Sequence, residues 1–179
     1  MYLTLSVDLL PQIREYTRTS TTVINAYIGP IIKAYVERME TFLRKLGLPN
    51  QVRYMKSKGV LTSGRFLKDK GVYALNSGPA AGPNAGTYFA ASRGVSNVVT
   101  VDMGGTSFDI SLSKNGKTAV VKDSDFLRQR VGVAMLSVET LGAGGGSIAS
   151  VNEMGLLQVG PQSAGSDPGP ACYHKGGTP

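Results

Sequence analysis

The sequence predicts an α/β fold in which a mixed sheet is flanked by helices. Two observations carry this prediction. Apolar residues recur at three- and four-residue steps over residues 20–46, which is the spacing of one face of a long helix. Short β-branched or alternating runs, separated by glycine-containing turns, fill most of the chain from residue 97 to residue 159, as expected for strands.

The predicted long helix carries one apolar stripe. Its members are Ile24, Ile28, Ile31, Tyr35, Met39, Phe42 and Leu46. Ser20 or Thr21 is placed to cap the start, Gly47 to end the helix and Pro30 to kink it. The stripe is expected to pack in the core, and a groove for a cofactor or partner is the alternative.

Between this helix and the strands, residues 51–55 read as a short strand and residues 59–70 fit no single element. A helix of small residues is predicted to run from 77 toward 92, where its alanines and glycines allow close approach to another element. Strands are predicted near 98–102, 107–113 and 118–122, and Asn115-Gly116 suits a type I′ turn between the last two. Further strands are expected at 131–138, 148–151 and 156–159, followed by a turn-rich tail.

The decapeptide Val101–Ile110, VDMGGTSFDI, joins two of these strands through a glycine turn. Gly104 and Gly105 allow backbone N–H groups to face a phosphate, and the hydroxyl of Thr106 adds a donor. Asp102 stands at a strand end, where it could hold Mg²⁺ through water or position an attacking water. The alternative is an ordinary Gly-Gly hairpin with two solvated carboxylates, Asp102 and Asp109.

A second glycine run, Gly142-Ala143-Gly144-Gly145-Gly146, offers two interpretations that remain open. It forms either a backbone nest for an anion or a sharp bend. A dinucleotide-binding loop is not favoured, because such a loop opens a helix and the residues after Ser147 alternate like a strand.

Composition excludes several function classes. The formal net charge is +7, but lysines and arginines are scattered without a dense basic run, so no nucleic-acid partner is predicted. No apolar run approaches the roughly 18 residues of a membrane span and no leader pattern is visible, which predicts a cytoplasmic chain without a membrane partner. The single cysteine, Cys172, excludes an internal disulfide, and a buried structural thiol is favoured over a nucleophile.

Six segments, in order along the chain, closely resemble the hydantoinase A/5-oxoprolinase family. This family includes N-methylhydantoinases and subunits of acetone and acetophenone carboxylases. The segments are Arg14–Thr21, Asn25–Tyr27, Ser77–Ala80, Asp102–Thr106, Gly142–Ala149 and Val159–Tyr173. The layout also looks like the second half of an actin-like ATPase (ribonuclease H-like) domain, so a partial domain of that fold is expected.

The resemblance implies that residues 1–179 are an internal fragment of a hydantoinase A-type domain. Residues 1–76 would be a helical segment with a following short strand, and 77–179 the second phosphate-loop half. Family members carry an earlier phosphate motif and a later adenosine-binding segment, so the fragment alone is expected to be inactive.

The same resemblance implies ATP and Mg²⁺ as cofactors, and a cyclic amide as the substrate, activated by phosphorylation before hydrolysis. Alternatives are an ATP-dependent ketone carboxylase subunit and a non-catalytic assembly module. Asp102 is the candidate catalytic and metal residue. The candidate phosphate-contacting residues are Gly104, Gly105, Thr106, Asp109, Gly142, Gly144, Gly145 and Gly146. The remainder of a parent subunit is an expected partner, and whether a hydantoinase B-like subunit joins it stays open.

Overall fold

A computed structural model describes residues 1–48, 51–126 and 128–178. The α-helices in these residues are α1 Ser6–Leu9, α2 Glu15–Lys45, α3 Gly64–Asp69 and α4 Ala81–Ala91. The strands are β1 Arg53–Met55, β2 Leu61–Ser63, β3 Val98–Met103, β4 Phe108–Lys114, β5 Lys117–Thr118, β6 Val120–Val121, β7 Ser124–Phe126, β8 Gln129–Val131, β9 Met135–Leu136, β10 Glu139–Leu141, β11 Ser147–Val151 and β12 Leu157–Ser163. Two short 3₁₀ helices cover Gly71–Ala74 and Ala171–Tyr173.

Helix α2 is longer than the sequence predicts. It begins at Glu15 and runs through Pro30 to Lys45. The predicted cap at Ser20 or Thr21 is wrong, because the Thr21 hydroxyl donates to the Thr17 carbonyl at 2.6 Å inside the helix. None of the helices in the described segments combines the length and apolar character of a membrane-spanning helix.

Helix α2 buries a polar face. Thr17, Thr21 and Asn25 are buried there, and the side chains of Thr21 and Asn25 are hydrogen-bonded, as most buried polar groups are. The Asn25 amide nitrogen donates to Thr4 Oγ1 at 3.0 Å, and its oxygen accepts from the Val72 N–H at 3.0 Å. Thr21 Oγ1 accepts from the Gly132 N–H at 2.9 Å.

The predicted core packing of the apolar stripe is therefore wrong for most of its length. Ile31 and Phe42 are 63% and 58% exposed. Ile24 and Ile28 alone among the stripe residues pack against the main cluster of buried side chains in the described part of the chain. That cluster consists of Leu9, Val72, Val131, Val133 and Met135.

The central sheet has the strand order β10-β4-β3, and β5 pairs with the end of β4. The predicted pairing of the two strands beside the Gly104-Gly105 turn, β3 and β4, is confirmed, with Val98 opposite Ser113 and Met103 opposite Phe108. Asn115 and Gly116 have φ values of +52° and +71°, as the predicted type I′ turn requires. The sheet expected to be mixed is antiparallel throughout the described residues.

Two predicted strands are each divided. The segment 118–122 gives β5, which pairs with β4, and β6, which pairs with β9 in a separate sheet. The segment 131–138 divides into β8 and β9 at Gly132. A Cβ at Gly132 would lie 2.4 Å from Leu10 and 2.8 Å from Thr17, so the backbone between the two strands packs closely against Leu10 and helix α2.

The two faces of the central sheet differ in chemistry. The face toward α4 is polar, and Ser111 and Ser113 are buried there. The opposite face is apolar and open in the described residues, with Val99, Met103 and Leu112 exposed by 62%, 62% and 67%. Most of the apolar stripe of α2 and one face of the central sheet are thus exposed in the described residues.

Close approach of α4 to β3 depends on Gly86. A Cβ at Gly86 would lie 2.4 Å from the Thr100 hydroxyl oxygen, whereas a Cβ at Gly82 would lie at an ordinary 3.8 Å from the Thr100 methyl. Alanine raises helix propensity at both positions, and by more at Gly86 in the helix interior than at Gly82 in the first turn, so propensity alone would favour Gly86→Ala. Because of the close contact with Thr100, Gly86→Ala is nevertheless expected to be less stable than Gly82→Ala by about 1–3 kcal/mol, measured by urea unfolding. Equal stability of the two variants would contradict this packing.

Candidate phosphate-binding site

Strands β3 and β4 form a hairpin whose turn, residues 104–107, lies at the end of the central sheet; we call it the motif turn. The Gly104 N–H donates to the Ser107 carbonyl at 2.9 Å and closes the turn. Gly104, Gly105 and Thr106 are exposed. The amides of Gly105 and Thr106 donate to no acceptor among the described residues, so these two amides and the Thr106 hydroxyl are among the donors free to meet an anion.

Two carboxylates face each other beside this turn. Asp102 on β3 is directly opposite Asp109 on β4, and paired residues of an antiparallel ladder share one face. Like charges directly opposite each other in a sheet repel, so this pair of carboxylates does not stabilise the fold. Thr140 on β10 donates its hydroxyl hydrogen bond to Asp109 Oδ1 at 2.6 Å.

The carboxylate pair has the donor chemistry that Mg²⁺ prefers. Mg²⁺ is commonly bound through one or two carboxylates, with waters and phosphate oxygens completing its shell. The described residues contain no cluster of three or more His, Cys, Asp or Glu side chains able to hold a metal ion. Asp102 and Asp109 therefore fit an ion held mainly by water and phosphate, and do not form a protein cage.

The second glycine run packs directly on the first. The Gly145 N–H donates to the Gly104 carbonyl at 2.9 Å, and the Gly146 N–H donates to the Gly105 carbonyl at 3.0 Å. The Gly144 N–H donates to Ser147 Oγ at 2.9 Å. Since these three amides bond within the protein, the run is a bend that braces the motif turn.

Gly142 differs from the other glycines of the second run. A Cβ at Gly142 would meet no heavy atom within 4 Å, whereas one at Gly144 would lie 2.6 Å from the Thr106 nitrogen. The structure therefore brings Gly144, Gly145 and Gly146 to the motif turn, and Gly142 stands apart from it.

The turn-rich tail folds back onto the second glycine run. The Gly146 carbonyl accepts from the Ala164 N–H at 2.8 Å and from Ser163 Oγ at 3.0 Å. A cavity of 650 Å³ lies between this part of the tail and the start of β11. Cys172 lines it and is exposed, so the expectation of a buried structural thiol is wrong.

Comparison with known proteins identifies the family. A profile for hydantoinase/oxoprolinase matches residues 18–179. The chain belongs to this family. Over 170 residues it is 58% identical to caprolactamase subunit alpha from Pseudomonas jessenii, a match covering 95% of this chain and 24% of that protein. The predicted family resemblance is confirmed.

Two solved structures of related proteins share the fold. The crystal structure of ATP-dependent caprolactamase from Pseudomonas jessenii matches with a TM-score of 0.79 at 57% identity, over 96% of this chain and 25% of that one. Nucleotide-free acetone carboxylase matches with a TM-score of 0.74 at 27% identity, over 89% and 22%. The predicted fold class is confirmed, and this hydantoinase/oxoprolinase chain spans about a quarter of the length of the relatives it matches.

Sequence reasoning missed two residues at this site. Thr140 reaches Asp109 through strand pairing between residues 31 positions apart, a contact that local pattern does not reveal. Tyr173 lies against both glycine loops, and its position in a turn-rich tail gave no sign of this.

The contact between the two loops gives a matched test. Gly144→Ala places a methyl group against backbone atoms, which cannot rotate away, and is expected to lower stability by about 1–3 kcal/mol. Gly142→Ala is the control and should change stability by less than about 0.5 kcal/mol. Hydrogen exchange is the measurement: only Gly144→Ala should speed exchange of the Gly145 and Gly146 amides. Unchanged protection in that variant would contradict the packing.

Proposed function

We propose that this chain is part of an ATP-dependent enzyme that phosphorylates a cyclic amide and so activates it for hydrolysis. One observation carries the proposal. The free amides of Gly105 and Thr106 lie at the same end of the sheet as the opposed carboxylates Asp102 and Asp109. Phosphoryl transfer needs little more from a protein than positioned phosphates and donors for the transferred charge.

Within this proposal the motif turn holds phosphate. The amides of Gly105 and Thr106, with the Thr106 hydroxyl, donate to phosphate oxygens, and Gly104 shapes the turn through its bond to Ser107. Gly144, Gly145 and Gly146 support the turn from behind, and Gly142 lets the chain enter the bend.

Asp102 is the proposed catalytic and metal residue. Its carboxylate would bind the waters around a Mg²⁺ ion or orient an attacking water, and Asp109, which accepts a hydrogen bond from Thr140, would support it. A bound Mg²⁺ would neutralise phosphate charge. The negative charges of the two opposed aspartates would also repel each other less near that ion.

The comparisons favour a cyclic amide over a ketone. Identity to the ATP-dependent caprolactamase structure is 57%, against 27% to acetone carboxylase. A ketone carboxylase subunit is the second candidate, since the acetone carboxylase structure has the same fold over 89% of the chain. Activation of an oxygen by phosphorylation would serve either substrate.

We also propose that the site works together with the remainder of a longer subunit. The chain corresponds to about a quarter of caprolactamase subunit alpha. The open apolar faces of α2 and of the central sheet, represented by Ile31 and Leu112, are larger than isolated surface side chains account for.

Asp102→Asn in the full-length protein is expected to lower ATP-dependent turnover of a lactam by about two to three orders of magnitude. Asparagine keeps the shape of the side chain and removes only the charge. Asp125→Asn is the matched control, because Asp125 is exposed on the separate hairpin of β7 and β8.

Phosphate release with caprolactam as substrate is the measurement, with thermal melts to show that both variants stay folded. Turnover of Asp102→Asn within twofold of the wild type would remove Asp102 from the mechanism and weaken the phosphate assignment of the turn.

The 179-residue chain alone is expected to bind ATP more weakly than the full-length protein. The described residues offer few hydrogen-bond donors to a phosphate, and we assign the contacts to adenosine to the rest of the subunit. Isothermal titration of both proteins with ATP and Mg²⁺ tests this. Equal affinity would show that these residues contain the whole nucleotide site.

A further inference from the structure

Tyr173 brings its hydroxyl to both glycine loops. A Cβ at Gly145 would lie 3.2 Å from the Tyr173 hydroxyl oxygen, and a Cβ at Gly105 would lie 3.6 Å from it. The oxygen is therefore in contact range of the motif turn and of the bend that braces it. Tyr173 comes from the far end of the chain, so this contact is tertiary.

The tail holds the Tyr173 ring in place. A Cβ at Gly169 would lie 2.5 Å from Tyr173 Cδ2, so the ring rests on the Gly169 backbone and no larger residue fits beneath it. Gly169 has a φ of +72°, which also favours glycine. The Tyr173 N–H donates to the Pro170 carbonyl at 2.9 Å, which fixes the backbone that carries the ring.

Of the three other partly buried tyrosines in the described residues, two have structural hydrogen bonds, and the buried hydroxyl of the third, Tyr54, has none and lies outside the glycine loops, in strand β1. The hydroxyl of Tyr2 donates to the Asp69 carbonyl at 2.8 Å, and that of Tyr73 donates to the Leu9 carbonyl at 2.9 Å. The Tyr173 side chain is partly buried, and its hydroxyl lies against the glycine loops without a hydrogen bond to a described residue. An uncommitted hydroxyl held beside the turn whose Gly105 and Thr106 amides are free is placed to donate to the same ligand as those amides.

We propose that the Tyr173 hydroxyl donates a hydrogen bond to the phosphoryl group held at the motif turn. The inference rests on the proposed function, since it requires phosphate at Gly105 and Thr106. The phosphoryl oxygen belongs either to the terminal phosphate of ATP or to the phosphorylated substrate. Tyr173 thereby becomes a ligand-binding residue, and the tail that carries it becomes part of the site.

The test compares Tyr173→Phe with the wild type in the full-length protein. Phenylalanine keeps the ring and removes only the hydroxyl. Tyr88→Phe is the control, because Tyr88 is 75% exposed on α4. Three quantities are measured: the affinity for the imido analogue of ATP, the affinity for ADP, and kcat with caprolactam. Thermal melts establish that each variant is folded.

A hydrogen bond to a charged phosphoryl group is expected to be worth about tenfold or more in the affected quantity. If ATP supplies the phosphoryl group, affinity for the analogue falls and affinity for ADP does not. If the phosphorylated substrate supplies it, both affinities stay unchanged and kcat falls. All three quantities within twofold of the wild type would overturn the proposal.

The wild-type protein distinguishes a failure of the proposed function from a failure of the Tyr173 proposal. A wild-type protein that binds the ATP analogue but turns over no lactam contradicts the hydrolase proposal. In that protein the ratio of analogue to ADP affinity alone decides on Tyr173: a fall of about tenfold supports its role, and an unchanged ratio overturns it.

Discussion

Backbone contact between two glycine loops is the constraint on which the rest of the site depends. The carbonyls of Gly104 and Gly105 accept from the N–H groups of Gly145 and Gly146, so the two loops approach to hydrogen-bonding distance along their main chains. None of these four glycines has the positive φ that usually explains glycine. They are needed for proximity: a Cβ on the neighbouring Gly144 would lie 2.6 Å from a backbone nitrogen. The β3–β4 hairpin, the bend of the second glycine run and the tail can contact one another only because no side chain occupies the space between them.

Local chemistry made part of the site predictable. Asp102, the two glycines and Thr106 are contiguous, and alternation on both sides defines their strands, so the hairpin and its turn follow from the sequence. The sequence does not show which backbone amides stay available to a phosphate. The sequence offers several glycine N–H groups to a phosphate, but bonds to Ser107 and Ser147 and between the loops consume four of them. Which donors remain free depends on long-range packing, and so does the arrival of Tyr173.

Helix α2 shows a different limit of pattern reading. Periodicity correctly predicts a long helix, but beyond Ile24 and Ile28 most of the apolar stripe does not pack on the rest of the described chain. Asn25 is fully buried because its amide is hydrogen-bonded to Thr4, Asp69 and Val72, and the Thr21 hydroxyl both donates and accepts. Burial of such groups costs little once they are paired. The sequence alone shows the polar residues and not their partners, so hydropathy favours the wrong side.

The open face of the central sheet links the fold to the chemistry. Side chains alternate along β3, so Val101 and Met103 point to the apolar face while Asp102 between them points to the other. A segment that covers Val101 and Met103 would therefore fix the backbone on both sides of the proposed catalytic carboxylate without touching it. Burial of two such side chains stabilises by about 1.5–3 kcal/mol each when complete. Our proposal that the remainder of a longer subunit covers this face thus gives that subunit a physical means of ordering Asp102, beyond any residues it adds to the nucleotide site.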